Sequence, residues 1–129
     1  MIVDSSAIVA ILRGEPDGPE FARTIAQSDC SISAANYVEA AVVIDSVRDA
    51  IVSRKLDDLI RESEISIEPV TERQAHIARE AYRDFGKGSG HPARLNFADC
   101  FAYALAKDLG QPLLFKGSDF AHTDVTPAL

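Results

Sequence analysis

The chain has no tryptophan, one methionine and only two cysteines among its 129 residues. Two cysteines cannot build a disulfide scaffold, and Cys30 and Cys100 do not stand in a pair spacing that suits zinc or redox chemistry. Cys100 falls in an apolar helical stretch, where a free thiol serves as a small core residue, and both cysteines read as structural. Long apolar runs are missing too. Runs such as Ala40–Ile44 and Leu113–Phe115 are far too short to cross a bilayer. No basic-then-apolar leader opens the chain, because Met1-Ile2-Val3 runs straight into Asp4, so a cytoplasmic location is expected. Positive charge is scarce, with 13 Lys and Arg against 20 Asp and Glu and a net charge of −7. Taken alone, that balance argues against a protein that grips nucleic acid by electrostatics. The three Tyr and six Phe fall mostly at core spacings and show no base-stacking platform.

Several catalytic signatures are also absent. His76, His91 and His122 are scattered without metal-ligand spacing, and there is no nucleophile elbow for a Ser/His/Asp hydrolase. The glycine loop Gly86–Gly90 follows a helix rather than a strand and lacks the Walker spacing. No internal repeat, low-complexity segment or Gly/Ser-rich linker divides the chain. What remains is ordinary for a globular protein: 47% hydrophobic and 26% charged residues, at a length that fits one domain, residues 1–129. The charge is uneven, however. Residues 1–72 carry a balance of −8 and residues 73–129 a balance of +1, and no carboxylate lies between Asp84 and Asp99. Lys87, His91 and Arg94 all fall in that gap, so an anionic ligand has its easiest approach there.

Met1–Val3 is short and apolar and ends at Asp4, as a buried parallel strand does. Ser5 or Ser6 is placed to cap a helix over Ala7–Leu12, with Gly14 at its end. The turn Pro16–Pro19 leads to a helix near Glu20–Gln27, and Ser31–Ser33 reads as a second strand. Helices are expected over Ala34–Val47 and Ser53–Ser63, then a strand within Ile65–Val70. Thr71 with Gln74 forms a capping-box start for a helix to about Phe85. After the loop Gly86–Pro92, Asn96 or a neighbour opens a helix that Gly110 ends, and Pro112–Phe115 is the last strand. Strands alternating with helices predict a single α/β domain, its central, mostly parallel sheet flanked by helices.

In such a sheet, ligands bind outside the carboxyl ends of the strands. Asp4 follows the first strand directly, and Asp119 comes shortly after the last one. Glu39 has Ala35, Val42 and Val43 as its helical neighbours, and Asp99 has Leu95, Ala102 and Tyr103, so both acids lie on or beside apolar stripes. A buried carboxylate needs a partner. One solution is a salt bridge, with Arg94 or Lys116 as the candidate cations. The other is that all four acids meet at one sheet edge around a hard cation, Mg²⁺ or Mn²⁺, which suits phosphoryl chemistry. Ser6 is placed to hydrogen-bond a metal-bound water or to cap its helix, and Asn96 to contact a phosphate or to cap its own.

The segment Ile2-Val3-Asp4-Ser5-Ser6-Ala7, the run from Arg94 through Asp99 to Ala106, and Pro112–Phe120 with Thr123-Asp124-Val125 resemble PIN-domain ribonucleases. The resemblance is to the VapC toxins of bacterial toxin–antitoxin pairs in particular, and it covers the chain from end to end. Ser5 is a small departure, since relatives often have Thr there. The resemblance implies a PIN fold and an Mg²⁺-dependent endoribonuclease that hydrolyses phosphodiester bonds in transfer or ribosomal RNA and halts translation. Asp4 and Asp99 would hold the metal directly, Glu39 and Asp119 would complete the acidic pocket, and Ser6, Arg94, Asn96 and Lys116 would contact the substrate. It also implies a homodimer silenced by a cognate VapB antitoxin. Two other readings remain beside it. A receiver-like phosphoacceptor domain also uses strand-end acids and a Lys such as Lys116, but it needs an adjacent acidic pair where this chain has Asp4-Ser5-Ser6. A catalytically inert interaction subunit would have a degenerate cleft, whereas all four acids are present here.

Overall fold

A computed structural model describes residues 1–129. Four very short strands alternate with six helices. In chain order these are β1 (Ile2–Val3), α1 (Ser5–Leu12), α2 (Gly18–Ala26), β2 (Ser31–Ser33), α3 (Ala34–Asp45), α4 (Ala50–Glu62), β3 (Ser66–Glu68), α5 (Glu72–Phe85), α6 (Asp99–Leu109) and β4 (Leu113–Leu114), followed by one 3-10 turn at Phe120–His122. The strands form one parallel sheet in the order β3-β2-β1-β4, with Ile2 beside Ser31 on one side and beside Leu113 on the other. The expected α/β architecture and parallel sheet are both present.

Strands of two or three residues carry too few hydrogen bonds to stand alone, so the sheet depends on what packs against it. Side chains alternate between its faces. Ile2 and Leu113 point into a cluster closed by α5 and α6, where Ala78, Ala81, Leu105 and Phe120 meet them. Val3 and Leu114 point the opposite way, into a cluster closed by α1 to α4 through Ile8, Ile25, Ala40, Ile44 and Leu56. Cys30 and Cys100 are buried and unpaired in these two clusters. No helix is long and apolar enough to cross a membrane.

Helix ends explain where the structure departs from the sequence expectations. Neither Ser5 nor Ser6 caps α1. Asp4 does so, because the helix begins at Ser5 rather than Ala7, directly after the strand, and the Asp4 carboxylate accepts the Ser6 N–H at 3.0 Å. Asp49 caps α4 by accepting the Ile51 N–H at 2.9 Å, so this helix begins at Ala50 rather than Ser53. Pro19, whose missing N–H costs nothing in a first turn, lets α2 start at Gly18. Thr71 caps α5 as expected, accepting the Gln74 N–H at 3.1 Å, and Gly110 ends α6 with φ of +61°. The C-terminal segment adds a contact that was not expected, since Leu113 donates to Thr126 and accepts from Ala128, both at 2.9 Å.

Candidate active site

The carboxyl edge of the sheet gathers the acids. The end of β1 delivers Asp4, which is 3% exposed and held by its capping bond to Ser6. From α3, Glu39 reaches back over the start of α1, where the Ser5 hydroxyl donates to Oε1 of Glu39. Asp99 is the first residue of α6. Its Oδ2 accepts the Asn96 N–H at 2.9 Å while its own N–H donates to Asn96 Oδ1 at 2.9 Å, a reciprocal pair that closes the helix start. Asp119 is exposed in the turn after β4.

These groups act on one another. Asp99 is raised to about 7, first by burial and then by the charges of Asp4, Glu39 and Asp119, against the opposing Asn96 N–H. Asp4 is also raised, first by burial and then by Glu39, against its bonds to Ser6. The structure thus draws all four predicted acids into one electrostatic unit. None of the molecule's ion pairs involves any of them. This overturns the buried salt bridge as an explanation. Lys116 turns its ammonium to Glu15 and Asp17, at 3.3 and 3.2 Å, and Arg94 is exposed at φ of +51° with no ion pair.

Three buried oxygens have no hydrogen-bond partner: Asp4 Oδ1, Ser33 Oγ and Asn36 Oδ1. Leaving such a group unpaired costs about 1–3 kcal/mol, so their concentration at one sheet edge calls for a reason. For Asp4, a hard divalent cation fits. The donors are carboxylate oxygens without His or Cys, one is buried and uncompensated, and the neighbouring acids repel one another. No three acidic, His or Cys side chains close around a single point.

The remaining predicted residues serve the frame as the structure places them. Ser6 Oγ accepts the Lys116 N–H at 2.9 Å, tying α1 to the turn after β4, while Asn96 closes the turn that leads into α6 by accepting the Asp99 N–H. Ser5 is the hydroxyl that touches an acid, and sequence reasoning missed it in favour of Ser6. Asn36 was missed as well. It is fully buried on α3, and its Nδ2 donates to Ala98 O at 2.9 Å and lies 3.5 Å from Glu39 Oε1. Its position three residues before Glu39, on the same helix face, was the available signal. Phe97 is an exception to the core placement of the aromatics. It is 77% exposed, with its ring edge-on to Phe101.

Comparison with known proteins gives a consistent picture. The model of the PIN domain family matches residues 1–125. Ribonuclease VapC28 of Mycobacterium tuberculosis is 59% identical over 100% of this chain and 98% of its own length. Ribonuclease VapC42 of the same species is 48% identical over 99% and 98%. Among solved structures, M. tuberculosis VapC20, described as a Sarcin-Ricin loop cleaving toxin, superposes with a TM-score of 0.75 at 16% identity, covering 97% of this chain and 95% of that one. The receiver-like and inert-subunit readings find no support here. The sheet order runs β3-β2-β1-β4, no second acid adjoins Asp4, and Lys116 is turned to Glu15 and Asp17.

Proposed function

The chain belongs to the PIN-domain family and is a VapC-type toxin endoribonuclease, and from that premise we propose that residues 1–129 form one catalytic domain whose Asp4 and Asp99 hold Mg²⁺. PIN-domain VapC ribonucleases are generally dependent on divalent metal, and VapC toxins pair with VapB antitoxins and act on RNA. The observation that carries the metal assignment is the buried Asp4, one of whose carboxylate oxygens has no partner, beside the half-buried Asp99, neither of them paired with a cation of the chain. Mn²⁺, another hard divalent ion, would be accepted by the same donors. The bound ion would acidify a water and offset charge on the phosphate oxygens.

The protein's own groups do the rest. Glu39, steadied by Ser5, and Asp119, exposed on the opposite turn, flank the metal ligands and orient the attacking water or take its proton. Arg94 and the backbone at Asn96 and Lys116, with Ser6 behind Lys116, line the approach of the RNA strand. We assign transfer or ribosomal RNA as substrate, a VapB-type antitoxin as the silencing partner, a homodimer as the working form and the cytoplasm as the location. Dimerisation would gather the Lys87–Arg94 loop and Lys116 into a basic rim, easing RNA approach to a chain of net charge −7.

The test is cleavage of total cellular RNA by antitoxin-free protein with Mg²⁺, with EDTA, and with Asp99→Asn. Discrete fragments that need both Mg²⁺ and Asp99 are expected, and their ends would name the target. Cleavage that persists in EDTA would refute the metal assignment.

A further inference from the structure

Asn36 has no obvious place in the fold's own economy. It sits in the first turn of α3 and is 0% exposed, a position where an apolar residue would pack without leaving a carbonyl oxygen unpaired. Its contacts run to the acidic site from two sides. The amide donates to the Ala98 carbonyl at 2.9 Å, one residue before Asp99 and sixty-two residues away in the chain, and it also faces Glu39 Oε1 at 3.5 Å. Glu39 Oε1 accepts the Ser5 hydroxyl too, so two side chains confine the same oxygen. Ser33, at the N-cap position of α3, does not cap that helix, and its hydroxyl is buried without a partner. The register that sets Ile2 beside Ser31 carries Asp4 and Ser33 to adjacent strand ends. Polar groups around Asn36 therefore line the inner wall of the site, where an ordinary core would place hydrocarbon.

We infer that Asn36 is a positioning residue: it bolts the Glu39 helix to the first turn of α6 and so sets the spacing between Glu39 and the metal-holding Asp99. This rests on the proposed cation site and goes beyond the acids that form it. Groups that orient metal ligands typically change metal affinity by about 10–100-fold when replaced.

The test uses Asn36→Leu, which keeps the same γ-branched skeleton and makes neither hydrogen bond, with wild type and the core variant Leu56→Ala beside it. Each protein is titrated with Mn²⁺ by calorimetry, its metal-free melting temperature is recorded, and RNA cleavage is followed against Mg²⁺ concentration. Asn36→Leu is expected to weaken Mn²⁺ binding about tenfold, to raise the Mg²⁺ needed for half-maximal cleavage by a similar factor, and to leave the KM for RNA within about twofold. Leu56→Ala is expected to melt earlier while binding Mn²⁺ as wild type does. Should Asn36→Leu fail to fold, Asn36→Ser carries the same test, since the shorter side chain cannot span to Ala98. An Asn36 variant that is folded and binds Mn²⁺ like wild type would overturn the inference while leaving the cation site intact. A wild-type protein that binds no Mn²⁺ would overturn the cation site, and this inference with it.

Discussion

Two acidic regions of this molecule treat the same side chain in opposite ways. On the α5–α6 side Asp124 and Asp108 are both matched. Asp124 accepts the Tyr103 hydroxyl at 2.7 Å and pairs with Lys107 at 2.9 Å, and Asp108 pairs with Arg73 at 2.7 Å while accepting the Gln74 amide at 3.1 Å. The Tyr103 bond, then Lys107, holds Asp124 below the usual carboxylate range. At the sheet edge, Asp4 is raised by burial and by Glu39, and Asp99 by burial and by Asp4, Glu39 and Asp119, with no cation supplied by the chain. Where acids are structural, the protein provides their counter-charge. Where they are functional it withholds it, and the compensation must come from outside.

The sharpest way to break this contrast is to neutralise one acid from each region. Asp99→Asn removes a proposed metal ligand and should lower cleavage by more than about a hundredfold, beyond the usual cost of altering a supporting residue. Asp124→Asn should leave cleavage within about twofold and lower stability by about 1 kcal/mol, the worth of a partly exposed, charge-assisted hydrogen bond. Cleavage assays and denaturant melts of the two variants would check both halves. Equal loss of cleavage in the two variants would dissolve the distinction.

Stability against pH sharpens it further, because the two regions carry opposite signs. In the folded chain Asp99 retains its proton up to about 7, whereas the unfolded chain releases it near 3.8. The folded state therefore binds more protons across that window, and metal-free stability should fall as pH rises through it. Asp124 is lowered, so its contribution is present above 3.8 and is lost as pH falls through its folded value. Metal-free melts at a series of pH values would show the first slope, and Asp99→Asn should flatten it. The smallest effect belongs to Lys107→Ala, which removes one largely exposed ion pair and should cost about 0.5 kcal/mol in a denaturant melt.

The acids were legible in the sequence because a carboxylate on an apolar stripe is conspicuous, as Glu39 and Asp99 were, and because Asp4 stood directly at the end of a strand. The alternation of short apolar segments with helical ones likewise disclosed the parallel sheet. Ser5 was not separable from Ser6, because adjacent residues at a helix start point about 100° apart and the choice turns on the residue at which β1 ends. Asn36 reads in sequence as an indifferent helical residue, and only the approach of α6 to α3 gives its amide a partner. Pro127 argues against a strand, so the pairing of the C-terminal segment with Leu113 was hidden until the edge of β4 was in place.

The central claim is that the sheet-edge acids are incomplete without a divalent cation. It is met most directly by calorimetric melting of wild type and Asp99→Asn, each with and without Mg²⁺. Relief of repulsion should make metal-free Asp99→Asn melt higher than metal-free wild type. Mg²⁺ at about 100 times its Kd should stabilise wild type by about 2.7 kcal/mol and leave the variant unmoved. A variant that melts lower than wild type, in a protein whose melting ignores Mg²⁺, would show that Asp99 is a structural acid and would contradict the account.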